Sequence, residues 1–314
     1  MNRIILLILL SLCGPLVYAQ GVRSAWKTVS FGKVSAMPDR TYTKEEPSDA
    51  LLNGIPLSKK VQSSRYALII GNEGYANKGL GLSDVQFALR DARAFRTYAE
   101  KYFGVPESNV FYAENITAGL LSAYTGRLAL LLRESDGNAE VFLYYAGHGI
   151  VKESDGVFHL VPVDADPEML EGGSSFLRIA ERLSDGGRVR VVAFTDACYS
   201  GQDRKGEQAL AVRGIRYVPV KGAFPPGVVQ FAASRSNQTA YAFNERGHGL
   251  FTYQLLDRLR RSKGSETWEE VCREVSMSTR EQAVRLHYRE QDPVLNGHPS
   301  TLEQFKRTNP LSTK

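Results

Sequence analysis

The sequence predicts an α/β fold, a mostly parallel central sheet of about six strands flanked by helices on both faces. Two observations carry this. From residue 66 onward, short apolar β-branched runs alternate with helical patterns. Several runs, YALII and RVVAF among them, are apolar at almost every position, which suits strands covered on both sides.

The elements follow in order. YALIIGN (66–72) is the first strand. In DVQFALRDARAFRTYAEKYF, Val85, Ala88, Leu89, Ala92, Phe95, Ala99 and Tyr102 make one helical stripe. NVFYAEN (109–115) is the second strand, and Thr117 precedes a helix through LLSAYTGRLALLL. EVFLYYAGHG (140–149) and FHLVPVDA (158–165) come next, then the helix FLRIAERLS and the strand RVRVVAFTDAC (188–198). GVVQFAASRS (227–236) is the last strand, followed by the helix FTYQLLDRL (251–259). TWEEVCREV opens a further helix with Thr267 and Glu270 at capping-box spacing, which makes Cys272 a packing residue.

Residues 1–19 have one basic residue, Arg3, an apolar run too short for a comfortable span, and a Val17-Tyr18-Ala19 cleavage site. They read as a signal peptide, with a retained anchor as the alternative, and imply a secreted or periplasmic protein. Residues 20–61 are polar and broken by Pro38, Pro47, Gly54 and Pro56, an extension or propeptide ahead of a domain over 62–314. The net charge of +5, from 39 basic and 34 acidic residues, is spread along the chain and makes no case for nucleic acid. Of three cysteines, Cys13 falls within the leader, leaving Cys198 and Cys272. No CxxC, HExxH or His/Cys cluster suggests a metal site.

The chemistry gathers at the strand ends, where open α/β sheets bind ligands. A cysteine in that position is a small core residue, half of a disulfide, a metal ligand or a nucleophile. One strand delivers His148 between two glycines, and another delivers Cys198. Parallel neighbours lie about 4.8 Å apart, so the two side chains can meet. A free thiol is only about three per cent thiolate at neutral pH, and a neighbouring imidazole that takes its proton makes it a nucleophile. The backbone N–H groups of Gly149 and Cys198 can form an oxyanion hole. His159, His287 and His298 lack such a context, and the second GHG, around His248, precedes a helix rather than ending an apolar strand.

YYAGHG followed by TDACYSG, within this strand–helix order, resembles the caspase and metacaspase family of cysteine peptidases. IIGNEGY and GHGLFTYQLL resemble its bacterial members. The resemblance implies that Cys198 and His148 are catalytic and that Gly149 supplies an oxyanion-hole amide. Asp196 stands two residues before the cysteine, where animal caspases have glutamine and metacaspases aspartate. That implies a pocket for Arg or Lys in protein or peptide substrates, and LRDARAF resembles the stretch that supplies a second pocket acid, here Asp91. A salt bridge from Asp91 to a nearby Arg, such as Arg90 or Arg93, is the plainer alternative. VKESDG departs from the acid-rich calcium insertion of some metacaspases, so no cofactor is expected, although DADPE (164–168) is a possible cation loop. The basic stretch after Cys198 and the N-terminal extension are candidate sites of self-cleavage, around Lys59, Lys60 or Arg65 in the latter. Two rival readings are a non-enzymatic binding module of the same fold and a peptide ligase using the same dyad.

Overall fold

The computed structural model describes residues 49–75, 79, 81–135, 137–152, 156–198, 204 and 224–311; the leader, residues 20–48 and most of the post-cysteine stretch lie outside these. The strands are β1 (Arg65–Gly71), β2 (Val110–Glu114), β3 (Glu140–Ala146), β4 (Gly149–Val151), β5 (Phe158–Leu160), β6 (Arg190–Asp196), β7 (Val228–Ala232), β8 (Ala242–Phe243), β9 (His248–Gly249) and β10 (Val294–Gly297). The helices are α1 (Ala88–Lys101), α2 (Ala118–Arg133), α3 (Phe176–Ser184), α4 (Leu250–Ser262), α5 (Trp268–His287) and α6 (Pro299–Arg307).

Six strands form the main sheet in the order β10-β7-β6-β3-β1-β2. All pairings are parallel except β10 against β7. Successive side chains point to opposite faces, so each apolar run feeds two cores. On one face, Ile69, Tyr144 and Phe194 pack with Phe95 of α1, Leu255 of α4 and Val271 of α5. On the other, Leu68, Leu143 and Val191 pack with Leu128 of α2 and Ile179 of α3. This three-layer arrangement explains why the strands show no polar alternation.

Caps set the helix starts where short polar residues stand. Thr117 accepts from the Leu120 N–H at the head of α2, and Thr267 and Glu270 form a reciprocal capping box at α5. Asp164, in the DADPE loop, accepts from the Ala118 N–H at 2.8 Å. At the N-terminal rim, Arg65, Glu140 and Arg190 stand side by side in register on β1, β3 and β6. All three are buried, with Glu140 accepting from Arg65 at 2.9 Å and pairing with Arg190 at 2.6 Å.

Three expectations are corrected. FHLVPVDA does not join the main sheet: β5 pairs antiparallel with β4 in a separate hairpin. The sixth strand is β10, whose four half-buried residues VLNG lack an apolar run because they lie at an edge. Arg65 is no cleavage candidate, since it is buried and paired inside β1, whereas Lys59 and Lys60 are exposed. Residues 49–61 also pack onto the domain. Leu51 is buried in the core, and its carbonyl accepts from the Tyr98 hydroxyl at 2.8 Å.

Candidate active site

The β3–β6 register pairs Ala146 with Asp196. Each chain then continues two residues beyond that rung, to His148 and to Cys198. Equivalent positions past neighbouring parallel strands fall opposite each other on the C-terminal rim, and both residues line one narrow cleft. Val85, Gly147, Asp196, Ala197, Arg204 and Ala240 complete it.

His148 is held from several sides. Its Nε2 lies 2.7 Å from the Ser83 carbonyl. A carbonyl only accepts, so Nε2 carries the proton and Nδ1 is the basic nitrogen. The Tyr75 ring meets the imidazole edge-on at 4.7 Å, and the Tyr145 hydroxyl donates to the His148 carbonyl at 2.6 Å. The Ala240 N–H donates to Cys198 Sγ at 3.1 Å, a contact that favours the thiolate over the thiol.

Gly149 faces Leu160 across the β4–β5 hairpin, and on the adjoining rung the Val161 N–H donates to the His148 carbonyl at 3.1 Å. Hydrogen-bonded and non-bonded pairs alternate in an antiparallel ladder, so the Gly149 N–H turns away from Leu160. A side chain at Gly149 would strike the Phe158 ring and stand 2.8 Å from the Cys198 carbonyl.

Beside this cleft lies a buried charge cluster. Asp91, from α1, and Asp196, at the end of β6, are both fully buried. Between them sits Arg204, from the stretch after the cysteine. Its Nη1 donates to Asp91 Oδ2 and to the Gln86 carbonyl, each at 2.7 Å, while Nη2 lies 3.3 Å from Asp196 Oδ2. Asp196 Oδ2 also accepts from the Thr252 hydroxyl at 2.6 Å, whereas Oδ1 has no hydrogen-bond partner among the described residues. Burial works to raise both carboxyls. Arg204 and His248 outweigh it at Asp91, which is held below the ordinary carboxylate range. At Asp196 burial wins over the longer contact with Arg204, and its carboxyl is raised.

His248 completes the cluster. Its Nδ1 lies 2.8 Å from Asp91 Oδ1, and its Nε2 lies 3.0 Å from Asp49 Oδ2. Burial disfavours the imidazolium, but the two carboxylates more than offset it and push the pKa up to about 9. Asp91 does carry a salt bridge to an arginine, as the plainer alternative had it, but the partner is Arg204; Arg90 reaches Asp49 and Arg93 reaches Glu114.

The structure therefore brings His148 and Cys198 to one cleft, and Asp91 and Asp196 to one guanidinium beside it. Cys272 stands apart, buried in α5, and no disulfide joins it to Cys198. Sequence reasoning missed Ser83 and Ala240, which act through backbone atoms, and it set His248 aside as a lone motif.

The chain belongs to the caspase-domain family, whose model matches residues 64–303. It therefore has a cysteine peptidase-like function with protein substrates. Among solved structures, protein GSU0716 from Geobacter sulfurreducens is similar, with a TM-score of 0.57 and 16% identity, over 80% of this chain and 99% of that one. That likeness speaks for the fold. A search of curated proteins found no match. No helix among the described residues is long and apolar enough to cross a membrane.

Proposed function

We propose that the chain is a cysteine endopeptidase that cuts after Arg, and more slowly after Lys, through a Cys198–His148 dyad. The observation that carries this reading is the convergence of Asp91 and Asp196 on one guanidinium beside the cleft of Cys198 and His148. Arg204 stands where a substrate arginine would stand. Exchanging one guanidinium for another keeps both carboxylates paired, so the exchange avoids the cost of an emptied acidic pocket. An aspartate guest would add a third carboxylate to the two already there. Lysine offers a point charge in place of a planar fork and satisfies two carboxylates less well.

In this mechanism Nδ1 of His148 takes the Sγ proton as sulfur attacks the scissile carbonyl carbon. The N–H groups of Gly149 and Cys198 hold the oxyanion. The imidazolium returns its proton to the leaving amine, and a thioester remains. Water, losing a proton to Nδ1, then attacks the thioester; the proton passes to sulfur and the acid product leaves. Cysteine, histidine and water balance every step, so we assign no cofactor. The leader-like residues 1–19 support a secreted or periplasmic location.

The test compares kcat/KM for reporter peptides ending in Arg, Lys and Asp. We expect Arg above Lys and no turnover with Asp. Cys198→Ala and His148→Ala should each abolish turnover, and Asp196→Asn should lose most of the basic preference. Preference for Asp, or turnover that survives Cys198→Ala, overturns the reading.

A further inference from the structure

The second GHG of the chain ends in the pocket rather than at the nucleophile. His248 and Gly249 form β9, and the Gly249 N–H donates to Asp91 at 2.9 Å. A side chain at Gly249 would collide with Asp196 Oδ2 and stand 2.7 Å from Arg204 Nη2. The backbone here passes directly against the two pocket acids.

The oxygens of Asp91 are divided. Oδ1 takes His248 Nδ1 at 2.8 Å, and Oδ2 takes the Arg204 guanidinium at 2.7 Å. On its other side His248 meets Asp49 Oδ2 at 3.0 Å. With both carboxylates ionised each only accepts, so both ring nitrogens donate and the ring is an imidazolium. The charged groups around the ring are Asp49, with Arg90 at 3.7 Å from it, on one side, and Asp91 with Arg204 on the other. The Tyr253 ring stands 6.2 Å away.

We propose that His248 is a specificity-positioning residue of this pocket, which fixes Asp91 so that one oxygen faces the guest cation, and that Asp49 holds His248 in place. This rests on the reading of Asp91 and Asp196 as a pocket for a basic residue. It makes the turn after Asp49 a working wall of the site. With Arg204 displaced or removed and no cation at residue 248, Asp91 and Asp196 are buried carboxylates without a counter-charge whenever the guest is absent, and one takes up a proton. Guest binding must then expel that proton, and affinity falls.

The experiment uses the full chain and agmatine, a small guanidinium, as probe. Arg204→Ala vacates the pocket, and agmatine binding is measured by calorimetry at pH 7. Adding His248→Gln or Asp49→Asn should weaken Kd about tenfold or more, as expected for losing a charged hydrogen bond. Binding unchanged by both substitutions overturns the role of His248 and leaves the pocket reading intact. No agmatine binding to Arg204→Ala overturns the pocket reading and this proposal with it. If Arg204→Ala fails to fold, ring-nitrogen NMR on otherwise native chain decides. His248 should be an imidazolium at pH 7, and Asp49→Asn should move its titration down toward neutrality. A neutral ring at pH 7 refutes the proposal.

Discussion

Raising the pH from 6 to about 9.5 should strip out the stability that His248 contributes. Its pKa is about 9 in the folded protein against 6.5 ordinarily, because two carboxylates flank a buried ring. A raised folded-state pKa stabilises fully below the unfolded value, and the benefit fades as pH climbs through the folded one. The difference corresponds to roughly 3 kcal/mol at 1.36 kcal/mol per unit. For a domain of this size that is about 6–12 °C in Tm. The flanking carboxylates do not blur the window: Asp49 and Asp91 are held below their ordinary values and titrate at acid pH. Urea melts of the wild type and His248→Gln should be compared at several pH values. The stability gap between them should narrow by about 3 kcal/mol between pH 6 and 9.5. A gap that stays flat across that range would refute the charge assigned to this ring.

Glu140→Gln should destabilise the fold by about 3–5 kcal/mol in the same assay, because it leaves Arg65 and Arg190 buried without their shared carboxylate. Cys272→Ala should retain peptidase activity and cost about 1–3 kcal/mol. Burial pushes the Cys272 thiol well up, so alkylation of native protein followed by peptide mass mapping should find label on Cys198 first. Gly249→Ala should lower both Tm and turnover of Arg reporters, since its methyl group falls on Asp196 and Arg204; wild-type values for both would mean that β9 has room to move.

How much of this was readable along the chain depends on the range over which each feature is encoded. Strand runs and capped helices are local, and they showed directly in the apolar runs YALII and RVVAF and in the Thr267–Glu270 box. The meeting of His148 and Cys198 was accessible for a related reason. Parallel pairing brings the ends of β3 and β6 to one rim, and two chemically capable residues at matching offsets require no further information. Edge strand β10 escaped because a half-buried four-residue strand carries no apolar run. The Ser83 carbonyl and Ala240 N–H escaped because every residue has such groups and only position gives them a role. The charge network around the two acids was decided by tertiary structure. Asp91 and His248 are 157 residues apart and Asp49 and His248 are 199 apart, so no spacing rule connects them. The two acids were suggested by motif, but their charge partners were not. A buried carboxylate demands a cation without naming which one, and only the packing of α1, β6, β9 and Arg204 against one another supplied it.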